Sequence, residues 1–308
     1  MKERKVSVIG AGNVGATTAQ LLAMGGLCDV VLFDIVDGMP QGKALDISEA
    51  CPLWNSSATV FGTNDYAAIK GSDIVVVTAG MARKPGMSRD DLLKINAGIV
   101  SGAAAEILKH APDSIVIAVT NPMDVMAHLV LKTTGFKPNR VMGMGGVLDA
   151  ARFCSFVAAE LKVSPEVINS MLMGGHGDQM VPLPRFTTVR GIPVTELLPK
   201  EKIDAIVERT RNGGAEIVAL LKTGSAYYAP AASIYEMVKS ILLDERKVLP
   251  VSCCLEGQYG VDHVYAGVPA VLGSGGVEKI IELKLNDDEM SAFMKSVNAV
   301  RELVKSIS

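Results

Sequence analysis

The chain has 308 residues, 49% of them apolar, with 30 glycines and a formal net charge of −3. That length can bury a large core as one big domain or as two lobes of about 150 residues, and the composition points to a heavily buried α/β protein rich in tight turns. The mildly acidic balance excludes nucleic acid or an anionic membrane as the main partner, because both require a basic face.

The first element to settle is the amino terminus, where MKERK precedes an uncharged stretch, Val6 to Cys28, with the charge layout of a signal peptide or membrane helix. Five glycines plus Asn13, Thr17, Thr18 and Gln20 make that stretch too polar for hydrocarbon. Strand, turn and helix are expected instead. Apolar runs then recur at Val6 to Gly10, Val30 to Asp34, Asp73 to Gly80, Ser114 to Pro122 and Val141 to Gly145, separated by stretches with helical spacing. Runs that are apolar at every position suit strands buried on both faces of a parallel sheet, with helices covering each face. A doubly wound parallel sheet follows.

Gly10-Ala11-Gly12-Asn13-Val14-Gly15 lies between the first run and the first helix. Glycines there permit a tight turn and close approach of a pyrophosphate to the backbone at a helix N-terminus. Asp34 closes the next run, roughly twenty residues on, where an acid takes both ribose hydroxyls and repels a 2′-phosphate. NAD is favoured over NADP, against the competing view of a strand-ending aspartate that only caps a turn. The third run is followed by GMARKPGMSRDDLL, with Arg83, Lys84 and Arg89 at the carboxyl end of a predicted strand. Open parallel sheets bind their ligands there. A substrate lid and a solvated charged loop are the two readings of this segment.

From about Gly143 the pattern changes, giving expected units 1–143 and 144–308 that share one cleft. VINSMLMGGHGDQMVPL and TTVRGIPVTEL read as paired strands with a turn at Arg190-Gly191, and KVLPVSCCLEGQYG and VYAGVPAVLGSGG as further antiparallel strands. Helices are expected near Lys200 to Leu221 and Tyr228 to Asp244. The last helix begins at NDDE, where Asn286 caps and Glu289 answers it, with an apolar face at Met290, Phe293, Val297, Val300 and Val304.

An enzyme that passes hydride from an alcohol to a nicotinamide needs a base for the hydroxyl proton, and histidine suits neutral pH. Of the four histidines, His110 and His128 fall on predicted helices and His263 beside an acid in a turn. His176 lies in GGHGD, where flanking glycines let a turn present the ring to a cleft; a purely structural histidine is the alternative. In LDAAR, Asp149 and Arg152 are spaced to share a helix face among apolar neighbours. A buried Asp149 would orient an imidazole, and Arg152 would grip a carboxylate with its planar fork; a plain surface ion pair is the alternative. Five cysteines, Cys28, Cys51, Cys154, Cys253 and Cys254, show neither CxxC nor zinc spacing. They read as small buried hydrophobes in a reducing compartment, the cytoplasm, with no metal.

GAGNVG, Asp34, VTNPMD, LDAAR and GGHGD, in this order and at these separations, resemble the lactate/malate dehydrogenase family over essentially the whole chain. The resemblance implies a Rossmann-type domain followed by an α+β catalytic domain with antiparallel strands. It implies NAD held by Gly10, Ala11, Gly12, Asn13, Val14, Gly15, Asp34, Asn96, Val119, Thr120 and Asn121. His176 is then the proton acceptor, Asp149 its partner, Arg152 the anchor for the C1 carboxylate, and Asn121 a contact of both substrate and nicotinamide ribose. The Asn121-Pro122 bond is often cis in relatives. The position of Arg89 supplies an arginine that polarises the carbonyl, and that of Arg83 sorts substrates: glutamine in typical lactate dehydrogenases, arginine in those acting on malate.

A guanidinium in a dry site requires a second carboxylate opposite it, whereas pyruvate offers only a methyl group. Ala226 stands where lactate dehydrogenases have a threonine, and a small residue suits the bulkier dicarboxylate. The expected reaction is therefore reversible oxidation of (S)-malate to oxaloacetate. Lactate oxidation and a catalytically inactive NAD-binding protein are the rivals. The resemblance implies a homotetramer, with a dimer as the alternative, and Lys84 is left as a solvent-facing charge.

Overall fold

The computed structural model describes residues 4–81 and 89–307. Its first part runs β1 (Lys5–Ile9), α1 (Asn13–Met24), β2 (Asp29–Phe33), α2 (Met39–Ala50), β3 (Val60–Thr63), β4 (Ile74–Val77), α3 (Arg89–His110), β5 (Ile115–Ala118), α4 (Met123–Thr134) and β6 (Val141–Gly143). These strands lie parallel in the order β3-β2-β1-β4-β5-β6. The continuous apolar runs form the interior of this sheet: β4 and β5 are buried at every position because helices cover both faces.

β3 was not among the expected strands, so the run at Asp73 to Gly80 supplies the fourth strand, not the third. Its sequence, VFGT, alternates in exposure, and Phe61 faces outward. An edge strand needs only one buried face and leaves a weaker apolar signal.

The second part runs α5 (Gly146–Leu161), β7 (Ile168–Asn169), β8 (Leu172–Gly174), β9 (Met180–Pro182), β10 (Thr188–Val189), β11 (Ile192–Pro193), α6 (Val194–Leu197), α7 (Lys200–Leu221), α8 (Tyr228–Leu242), β12 (Lys247–Glu256), β13 (Asp262–Gly273), β14 (Gly276–Ile280) and α9 (Asp287–Lys305). The expected turn at Arg190-Gly191 joins β10 to β11, with both residues at positive φ. His263, expected in a turn, instead lies second in β13, because the reversal is completed at Gln258–Gly260 before it. Asn286 and Glu289 form the capping box of α9, which buries Phe293, Val297 and Val300.

The parallel sheet does not stop at β6. β12 pairs antiparallel with β6 at Ser252 and Gly143, and the sheet continues through β13, β8 and β9. The main hydrophobic cluster likewise joins Val6, Leu22 and Val76 to Met237, Val268 and Phe293. All five cysteines are free. Burial pushes the Cys28 thiol up to about 12 and the Cys254 thiol up to about 11, so both serve as protonated packing groups.

Candidate active site

The glycine loop connects β1 to α1 at the carboxyl end of the parallel strands. Gly10 has φ +106°, and a Cβ there would stand 2.7 Å from both Ala79 N and Thr78 Oγ1, so the turn tolerates no side chain. A side chain at Gly15 would collide with Gly10 O, which fixes the close packing of α1 on the strand. Gly12 differs: no described atom lies within 4 Å of a Cβ built there. It is also the N-cap of α1 and provides no side-chain cap, leaving the first N–H groups of the helix facing that open space. Such an end favours an anion.

Asp34 flanks the loop. Its Oδ2 accepts from Ala11 N at 2.6 Å and its Oδ1 from Val36 N at 3.0 Å. The carboxylate is thereby oriented by backbone donors while remaining partly exposed. Lys43, which sequence patterning does not single out, donates from Nζ to Ala11 O at 2.6 Å and braces the same turn. Open cradle, uncapped helix end and oriented acid fit the diphosphate and ribose of a dinucleotide.

Two loops beyond β4 and β5 form the next wall. Val119 N donates to Val77 O at 3.0 Å, and Thr120 Oγ1 to Ala79 O at 2.6 Å. Asn96 is almost fully buried; its Nδ2 donates to Asn121 O at 2.8 Å, and its Oδ1 accepts from Met81 N at 2.7 Å. Its side chain thereby ties the two loops together beside Asn121. The Asn121-Pro122 bond is cis.

The chemical centre is assembled from α5 and the turn after β8. Asp149, in the first turn of α5, is 1% exposed, and its Oδ2 lies 2.9 Å from His176 Nδ1. Its Oδ1 lies 3.5 Å from Arg152 Nη1, one helical turn on. Gly177, at φ +81°, turns the chain directly after the histidine. The side chains of His176 and Arg152 are only 15% and 12% exposed.

Burial disfavours the imidazolium, but the charge and hydrogen bond of Asp149 outweigh it and hold His176 above its ordinary pKa; Arg152 opposes. Burial lowers the pKa of Arg152, against the pull of Asp149. With Nδ1 engaged by Asp149, Nε2 is the nitrogen left for proton exchange.

Two residues behind the histidine carry no expectation from the sequence. Asp124, in the first turn of α4, accepts from His176 N at 3.1 Å and from Ser252 Oγ of β12 at 2.6 Å. Burial pushes its carboxyl above the usual carboxylate range, against both hydrogen bonds. Asp124 belongs to the VTNPMD segment, which is a local signal; Ser252 has none. Of the remaining expected residues, Arg89 opens α3, with its side chain outside what is described, while Arg83 and Lys84 lie outside the described residues.

Residues 4–143 match the NAD-binding domain of lactate/malate dehydrogenase, and residues 146–308 match the α/β C-terminal domain of the same enzymes. The chain belongs to the lactate/malate dehydrogenase family. It is similar to a malate dehydrogenase of Thermomicrobium roseum, 57% identical over 99% of this chain and 98% of the relative. Among solved structures, the apo malate dehydrogenase of Picrophilus torridus is 50% identical, with a TM-score of 0.96 over 98% of this chain and 96% of that one. A lactate dehydrogenase of Cryptosporidium parvum, complexed with lactic acid and NAD, reaches the same TM-score at 41% identity, covering 100% of this chain and 98% of that one. Backbone shape therefore does not sort the two substrates. Side chains must do so.

Proposed function

We propose that the protein catalyses reversible oxidation of (S)-malate to oxaloacetate with NAD. The observation that carries this reading is the Asp149–His176 pair at 2.9 Å with Arg152 on the next turn of the same helix. Gly10, Ala11, Gly12, Asn13, Val14 and Gly15 would hold the diphosphate, Asp34 the adenosine ribose, and Val119, Thr120 and Asn121 the nicotinamide end. When bound, NAD supplies the hydride acceptor, and its reduced form the donor.

His176 Nε2 takes the hydroxyl proton in oxidation and returns it in reduction, while Asp149 fixes the tautomer and stabilises the imidazolium. Arg152 grips the C1 carboxylate. Arg83 would pair with the C4 carboxylate and Arg89 with the developing charge on the substrate oxygen. We assign residues 1–143 as the NAD-binding domain and 144–308 as the catalytic domain, the first also contributing Arg83, Arg89 and Asn121 to the substrate site.

Lactate oxidation is the second reading, favoured by the equal structural match to a lactate dehydrogenase. Arg83 argues against it, because an unpaired guanidinium in a closed site is costly and pyruvate brings no partner. NADH oxidation with oxaloacetate and pyruvate side by side decides between them. Oxaloacetate should win, and Arg83→Gln should lower the oxaloacetate-to-pyruvate ratio of kcat/KM by about 10²-fold or more. An unchanged ratio would refute the sorting role; no turnover of either would leave an inactive NAD-binding protein.

A homotetramer is the proposed assembly, with a dimer as the alternative. Exposed Leu45, Leu53, Leu220 and Tyr228 give copies of the chain apolar surface to share. Light scattering should report about four chain masses, and a monomer would overturn it. The free thiols accord with a cytoplasmic setting, which fractionation of the source cells would check.

A further inference from the structure

Helix α7 carries two adjacent glycines, Gly213 and Gly214, well inside its 22 residues. Glycine disfavours a helix interior more than any residue except proline, so a pair there calls for a reason in packing. Gly213 is buried. A Cβ at 213 would stand 3.2 Å from Cδ and 3.5 Å from Nε of Arg152, and one at 214 would stand 3.8 Å from Arg152 Nη2. Among the described residues no other side chain comes within 4 Å of either position. The missing methyl groups leave a trough along α7, and the Arg152 side chain fills it.

Hydrogen bonds do little to hold that side chain. Its Nε is buried without a hydrogen-bond partner among the described residues. Facing α7, it meets a helix whose carbonyls are already bonded to N–H groups one turn on. The contact of Nη1 with Asp149 Oδ1 is 3.5 Å, at the outer limit for a hydrogen bond. Beside the ion pair with Asp149, the contact that bounds the guanidinium is the glycine wall behind it.

We propose that Gly213 and Gly214 are positioning residues for substrate binding: they set the depth of the Arg152 guanidinium and so align its terminal nitrogens with the substrate carboxylate. This rests on Arg152 being the carboxylate anchor. A methyl group at 213 forces the arginine outward by a few tenths of an ångström, enough to spoil a two-point grip while leaving the NAD cradle untouched.

The test is Gly213→Ala, assayed for the KM of oxaloacetate, NADH affinity and melting temperature. A control is Gly102→Ala in α3, where an added Cβ meets nothing within 4 Å. Gly213→Ala should raise the KM of oxaloacetate by about 3- to 10-fold, with NADH affinity kept; Gly102→Ala should leave both constants unchanged. In an Arg152→Gln background the Gly213 substitution should add nothing to KM, since the group it displaces is gone.

An unchanged KM in Gly213→Ala, while Arg152→Gln raises it, overturns the positioning role alone. An unchanged KM in Arg152→Gln overturns the anchor assignment itself. Should Gly213→Ala melt far below the parent, recovery of melting by added Arg152→Gln would locate the clash at the arginine and support the proposal. No recovery would place the clash elsewhere and overturn it.

Discussion

At His176 two opposed effects meet on one ring. Burial favours the neutral imidazole and Asp149 favours the imidazolium, with the second prevailing. In the proposed mechanism reduction of oxaloacetate starts from the protonated ring, so activity in that direction should be present below the folded-state pKa and lost as pH rises through it. Asp149→Asn removes the main charge that holds the pKa up and leaves burial and the Arg152 charge to lower it against the weaker pull of Asp124. The upper pH limb of kcat/KM for oxaloacetate should then move to lower pH, each unit of movement being a tenfold loss at a fixed pH above it. A limb that stays in place while the rate falls evenly at all pH values would mean that Asp149 only orients the ring. The same shift carries a stability term: a raised histidine pKa contributes stability that is full below its unfolded value of about 6.5 and vanishes above the folded value.

Three elements pin the turn that carries this histidine. Asp124 of α4 accepts from His176 N, Ser296 of α9 accepts from Gly175 N at 2.7 Å, and Ser252 of β12 satisfies the other oxygen of Asp124. Removing the Ser252 hydroxyl leaves Asp124 Oδ1 buried without its partner, at a cost of about 1–3 kcal/mol. Ser252→Ala should therefore melt several degrees below the parent, and an unshifted melting curve would show that the bond contributes no net stability. This cluster also marks where the sequence is silent. β2, β4 and β5 announce themselves as runs of apolar residues, and β1 as one interrupted only by the buried Ser7, because both faces of each are buried, and α9 by its cap and stripe. His176, Asp149 and Arg152 stand out through short motifs in a telling order. Edge strand β3, exposed on one face, does not stand out. Neither does the Asp124–Ser252 pair, joined across 128 positions by a hydrogen bond that leaves no periodic trace in either segment.

At the scale of the whole molecule, the proposed division of roles at residue 143 is not a division of the structure. β6 and β12 link the parallel and antiparallel halves into one sheet through Gly143 and Ser252. α8 packs against α1, and the main core takes residues from both halves, so neither half buries its apolar surface alone. Domains with independent cores can melt separately, whereas halves that share a core lose it together. Thermal unfolding of the full chain should thus appear as one transition, coincident by near- and far-ultraviolet circular dichroism. By the proposed assignment NADH binds to the glycine loop in the first half, yet at 100 times its Kd it should stabilise the entire transition by about 2.7 kcal/mol. If NADH instead split the curve, raising one phase and leaving the other at its original temperature, the halves would be energetically independent and the shared sheet no more than a contact between them.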